Sequence, residues 1–219
     1  MIRTYLRRTF GVALLATLAL PTGAFAEEEN GGAPGSWLSQ YVSARALGLG
    51  GAFVGTADDA SSVVWNPAGL ATLVPNEVRF ETAQLFEDTY VHALNFAVPG
   101  NRLPSFGLSI VTLRSGEFDR TNELNDPLGT FREVETAYIF TMSRNINPRF
   151  ALGTNVKLVT QTVEDFSGTG VGFDVGGVMD VTPTFRVGAS VLNLGGPNVT
   201  LRGRARRDGG ARGPVRSRG

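Results

Sequence analysis

The chain has 219 residues, 42% of them hydrophobic, with 28 glycines and no cysteine. That is room for one large β domain or two small ones, and it excludes a disulfide-stapled scaffold. Basic and acidic residues balance at 20 each, but residues 27–201 alone hold ten basic and nineteen acidic side chains, a net charge of −9 that excludes electrostatic nucleic-acid binding.

Arg3, Arg7 and Arg8 make a basic start, and Phe10 to Leu20 is an apolar run. Pro21 and Gly23 break it, and Ala24-Phe25-Ala26 places small residues before Glu27. Residues 1–26 therefore read as a secretory signal peptide, with an uncleaved N-terminal anchor as the alternative. The apolar run falls short of the roughly twenty residues of a membrane-spanning helix, and no later window supplies one. Residues 27–42 begin EEENGGAPGS and read as a flexible leader.

Residues 43–76 are rich in small side chains and nearly uncharged apart from Arg45, Asp58 and Asp59. Leu38, Val42, Ala46 and Leu49 share a face at helical spacing, which predicts a short helix over Ser39–Leu49 ended by Gly48, Gly50 and Gly51. These glycines are no dinucleotide loop: Phe53 stands where the third glycine belongs, and no strand precedes them. They suit close backbone packing or a sharp turn. Asp58-Asp59 precedes Ala60-Ser61-Ser62 and reads first as an N-cap, its oxygens accepting from the free amides of a short helix. A metal or acid–base role would need a further group with a shifted pKa, and none is evident. Asn66-Pro67-Ala68-Gly69 reads as a turn.

From Glu77 onward the hydrophobic period becomes two, predicting about seven strands of roughly nine to fifteen residues over 77–201. Val78, Phe80 and Thr82 alternate with Glu77, Arg79 and Glu81; Tyr90, Leu94, Phe96 and Val98 share a face. Phe106, Leu108 and Ile110 then alternate with Gly107, Ser109 and Val111. The pattern recurs through Thr136–Met142, Phe150–Leu158, Val171–Met179 and Phe185–Val191. A soluble β-sandwich would alternate likewise. Strand length beyond the usual five or six residues favours a membrane barrel, as does a second face of small or charged residues. Aromatics near strand ends (Phe86, Tyr90, Phe150, Phe166, Phe185) fit interfacial girdles.

The connections Pro99–Pro104, Asn145–Pro148 and Thr182–Thr184 are short. Those at the opposite ends, Phe86–Thr89, Ser115–Arg132 and Glu164–Thr169, are acidic and include one long loop. They are either simply solvated or face outward, where divalent cations would bridge them to lipid phosphates. His92 is the single histidine, so no Ser-His-Asp set is available, and a structural or lumen-facing place is expected for it. Lys157, the single lysine, is expected to point inward, and Trp37 and Trp65 to pack residues 43–76. Residues 202–219 hold seven arginines and no aromatic, and are expected not to continue a strand. They read as a basic tail or, preferably, as the product of a frameshift or truncation in a GC-rich gene. Seven strands would leave two open edges, so this form is not expected to insert as a stable monomer.

The pattern Ala46-x-Gly48-x-Gly50-Gly51-Ala52-Phe53, then Asp58-Asp59-Ala60, then Trp65-Asn66-Pro67-Ala68-Gly69 resembles the N-terminal segment of the PorV/PorQ proteins and the wider FadL-type outer-membrane superfamily. The resemblance implies an all-β fold: an antiparallel transmembrane outer-membrane β-barrel, incomplete here, with an N-terminal plug containing short helices. It implies that Gly48, Gly50, Gly51, Asp58, Asp59, Asn66, Pro67, Ala68 and Gly69 are positions of plug architecture and not of catalysis. It further implies an outer-membrane location and a role in protein secretion, or FadL-like passage of fatty acids or other hydrophobic compounds. The partners would be outer-membrane lipid with secretion components and exported cargo, or hydrophobic small molecules. Neither a cofactor nor a metal is expected, and no enzymatic activity.

Overall fold

The computed structural model describes residues 34–100 and 103–203. The signal-peptide reading and the tail from residue 204 lie outside the described residues. Seven long strands form where the alternation places them: β1 (Glu77–Gln84), β2 (Tyr90–Val98), β3 (Ser105–Arg114), β6 (Glu133–Asn147), β7 (Phe150–Val163), β8 (Phe166–Thr182) and β9 (Phe185–Leu194). Every pairing is antiparallel, in the order β1-β2-β3-β6-β7-β8, with β9 on the far edge of β8. Among the described residues the sheet does not close. The fold is all-β, an antiparallel sheet accompanied by a few very short helices.

Three local expectations change. The stretch 115–132 is no structureless loop: β4 (Phe118–Thr121) and β5 (Pro127–Phe131) make a small hairpin, with Phe118 and Phe131 at 5.5 Å across it. Its tip is an Asx turn in which Asn122 Oδ1 accepts from the amides of Leu124 and Asp126. The connection after β7 is only Glu164-Asp165, because Val163 already pairs with Phe166. Finally, β10 (Arg202–Gly203) adds two residues beside Ser167 and Phe166, so the strand pattern continues just past Leu201.

Side chains on the two faces of the sheet differ in kind. One face is covered by the N-terminal segment and carries small or polar residues: Gly107 and Ser109, Ala137 and Thr141, Asn155 and Lys157, Asp174 and Gly176. The opposite, open face carries the large apolar ones. Phe80 is 68% exposed, Leu108 55%, Phe173 49% and Val191 56%. A water-soluble sheet puts its large apolar side chains against its core. Here most of the large apolar side chains of the strands lie on the open face instead.

The N-terminal segment holds α1 (Leu38–Tyr41), α2 (Ala44–Gly48), α3 (Ser62–Trp65) and a 3-10 helix (Pro67–Thr72). The predicted helix over Ser39–Leu49 is broken at Ser43, which has φ of 73° and accepts the Ala46 amide on its own hydroxyl. A serine that caps cannot also be helix interior, and Leu49 consequently turns outward. The leader is also shorter than predicted, since Trp37 and Leu38 are buried and the Gly35 amide donates to Glu135 on β6. Trp37, Phe53, Val63, Trp65 and Leu70 form one apolar core with Val91, Val111, Ala137 and Val159 of the covered face. Among the described residues no helix is long and apolar enough to cross a membrane.

Candidate functional site

The N-terminal segment and the face it covers form the candidate site. Glycines make the fit possible. A Cβ on Gly153 of β7 would stand 2.3 Å from the Pro67 carbonyl carbon, and one on Gly176 of β8 2.0 Å from Asn66 Oδ1. On β9, a Cβ on Gly188 would meet the Val54 carbonyl oxygen at 2.5 Å. Real Cβ atoms do not approach so closely, so three adjacent strands give up side chains to let the segment's backbone lie on the sheet.

Asn66 makes this contact specific. Its side-chain amide donates to the Val54 carbonyl at 2.8 Å and to the Gly177 carbonyl at 3.1 Å, and its Oδ1 accepts the Ala68 amide. The predicted Asn-Pro-Ala-Gly turn is in fact the start of the 3-10 helix: Asn66 is its cap and Pro67 its first residue. Proline suits that position, because the N–H it lacks would have no intrahelical partner there. Gly69 passes so near Ala57 that a Cβ would lie 2.3 Å from its carbonyl oxygen. Gly50 and Gly51 have φ of 63° and 80°, the left-handed turn that ends α2. Gly48 faces open space, so close packing is not its role.

Asp58 and Asp59 divide their work. Asp59 is buried, and its Oδ1 accepts the amide and hydroxyl of Ser61 in a turn just before α3; the N-cap residue of that helix is Ser61 itself, so neither aspartate is the cap the sequence suggested. Both carboxylates also hold Arg45, at 2.5 Å and 3.1 Å, and Asp59 reaches Arg79 of β1 at 3.3 Å. Glu77 of β1 pairs with Arg79 and accepts the Ala60 amide at 3.1 Å. The pair is thus an anchor between the segment and β1 rather than a free metal or acid–base site. Hydrogen bonding to Asp58, aided by Asp59 and opposed by burial, raises the Arg45 pKa above the ordinary arginine value. A raised folded-state value means its contribution is complete below the unfolded value and lost only on strongly alkaline titration, so Arg45 adds no pH dependence near neutrality. Its guanidinium also lies over the Phe53 ring, 5.2 Å from the centroid.

A second group was not legible as a set. Lys157 Nζ pairs with Asp174 Oδ1 at 2.7 Å, with side chains 4% and 1% exposed. Asn155 donates to Asp174 at 2.7 Å and to the Val63 carbonyl of α3 at 2.7 Å, and Thr141 donates to Asn155. Asn193 of β9 joins through its amide to Asp174 and its side-chain oxygen to Lys157. Lys157 does point to the covered face, as expected. Of the two places expected for His92, structural or lumen-facing, the second does not hold: it sits on the open face with Leu94 and Phe96, its ring nitrogen 3.0 Å from the Thr82 hydroxyl. Parity with Leu94 carried that signal. Placing the β7–β8 turn at two residues would have set Asn155 opposite Asp174 and Lys157 opposite Gly172, which leaves Lys157 a diagonal neighbour of Asp174 on the same face.

Comparison with family models, with curated proteins and with solved structures finds no match.

Proposed function

We propose that this protein is an outer-membrane β-barrel protein of PorV/PorQ type, acting in protein secretion or outer-membrane transport, with residues 34–76 as its plug. One observation carries the reading: the open face presents phenylalanine, leucine and valine to the surroundings while the covered face is small, polar and stoppered by the chain's own N-terminal segment. Lipid is the solvent that makes such an outward face stable, since strands facing hydrocarbon outside and a polar interior alternate in this way. Three of the seven long strands, β6, β7 and β8 with 15, 14 and 17 residues, also exceed the roughly 9–11 residues that a tilted strand needs to cross a bilayer. The second reading is FadL-like passage of hydrophobic compounds. The cavity between α1–α2 and β1–β2 holds about 60 Å³, room for a water or two rather than a fatty acid, so passage would require the plug to move.

The test is reconstitution of the full chain with phospholipid vesicles, followed by flotation and carbonate extraction. Carbonate-resistant association is expected as an oligomer rather than as a monomer, because the two open edges of the sheet must be paired before it can sit in lipid; a protein left at the bottom of the gradient and monodisperse without detergent sinks the membrane reading. Co-purification of exported proteins with the tagged chain from cell envelopes separates the secretion role from fatty-acid binding that plug substitutions abolish.

A further inference from the structure

Beyond the plug, the loop end of β2 and β3 carries a cleft of about 750 Å³, within the size range of small-molecule sites. Tyr90, His92 and Arg114 line it from the open face, and Glu87, Asp88 and Glu117 from the loops above. Tyr90 and Arg114 are direct cross-strand partners, and the Tyr90 and His92 rings stack with 5° between their planes.

The charges in the cleft are unequally used. Glu117 is taken by Arg132. Among the described residues Arg114, Glu87 and Asp88 make no ion pair, which leaves one guanidinium and two carboxylates unneutralised around one space. The carboxylates are also held at a conformational cost. Glu87 and Asp88 have φ of 49° and 53°, consecutive left-handed residues at the centre of the Phe86–Thr89 turn, closed by the Thr89 amide on the Phe86 carbonyl. Both central residues of such a turn need φ above zero, and asparagine-glycine is the pair that adopts it without strain. Backbone strain at acidic side chains lining a cleft points to function. Gly116 locks the arrangement, because a Cβ there would stand 2.2 Å from the Glu87 carbonyl oxygen.

We propose that this cleft binds the phosphoethanolamine headgroup of a lipid whose acyl chains lie along the open face. Arg114 takes the phosphate, Glu87 and Asp88 take the ammonium, and the stacked Tyr90 and His92 form the wall between headgroup and chains. A guanidinium and two carboxylates lining one cleft match a zwitterion and not a simple anion. Aromatic rings with one polar edge suit the level where headgroup meets hydrocarbon. The proposal rests on the membrane reading above.

The experiment is native mass spectrometry of the full chain in detergent, offered equal amounts of phosphatidylethanolamine and phosphatidylglycerol with matched chains. The expected result is retention of phosphatidylethanolamine in about tenfold excess, a retention cut about tenfold by Arg114→Gln. The double substitution Glu87→Asn with Asp88→Gly suits the turn better, so it folds, yet it abolishes the preference for the ethanolamine lipid. Equal retention of both lipids, or unchanged preference in either variant, overturns the proposal. Retention against millimolar glycerophosphoethanolamine supports a lipid ligand, whereas displacement by it overturns the lipid assignment in favour of a soluble headgroup. Vesicle flotation of the same preparations separates the two failures: protein that floats without lipid preference refutes only the cleft, and protein that does not float refutes the membrane reading.

Discussion

The N-terminal segment is fastened to the sheet in two chemically different ways, and the contrast teaches what each can tolerate. Over β7, β8 and β9 the contact is steric: backbone lies on glycine, and Asn66 and Asn155 fix the register with neutral hydrogen bonds. At β1 the contact is ionic, a half-exposed Arg45 and a partly buried Arg79 sharing Asp58, Asp59 and Glu77. Shape complementarity is intolerant of a single methyl group and indifferent to salt. Charge pairs near solvent tolerate substitution and weaken with ionic strength. The segment is therefore rigidly seated at one end and adjustably tied at the other.

The largest effect is expected beneath the rigid end. Asp174→Leu strands the Lys157 ammonium, buried among β7, β8 and β9, and should cost about 3–5 kcal/mol in urea unfolding followed by Trp37 and Trp65 fluorescence. The double variant Lys157→Met with Asp174→Leu should recover most of that loss. If both single and double variants unfold at the wild-type urea concentration, the pair does not support the segment. Next comes Gly153→Ala. Its new methyl group meets the Pro67 backbone, which cannot swing aside as a side-chain tip can. A loss of about 1–3 kcal/mol is expected, with residues 66–72 becoming sensitive to protease. Gly48→Ala, at a glycine facing open space, is the control that should leave protease resistance intact.

Asn66→Ala removes donors to the Val54 and Gly177 carbonyls and the cap of the 3-10 helix. A cost of about 1–3 kcal/mol is expected, because buried carbonyls are left unpaired. The smallest effect belongs to the ionic end. Arg45→Gln should cost about 1 kcal/mol, since Arg79 still neutralises Asp59 and the Asp58 pair is solvent-exposed. Hydrogen exchange sharpens the contrast: molar salt should speed exchange of amides in α2 and leave α3 and the 3-10 helix unchanged. Equal acceleration at both ends would mean that the two attachments do not differ as described.

The amino-acid sequence alone determined the seven long strands and which residue of each belongs to which face. Phe106-Gly107-Leu108-Ser109 states its faces without help, because side-chain direction alternates residue by residue along any extended chain. His92 was misplaced because the parity it shares with Leu94 was not applied to it, although that signal was present. The glycine and aspartate motifs of residues 43–76 marked a segment of unusual backbone, since left-handed turns and close approaches leave a local trace at Gly50, Gly51 and Gly69. Tertiary structure alone decided which distant groups meet: Arg45 with Asp59 and Arg79, Asn66 with Gly177, Lys157 with Asp174 and Asn193. Those encounters depend on turn lengths and on where the segment comes to rest, and a shift of one residue in register would turn every such side chain to the other face.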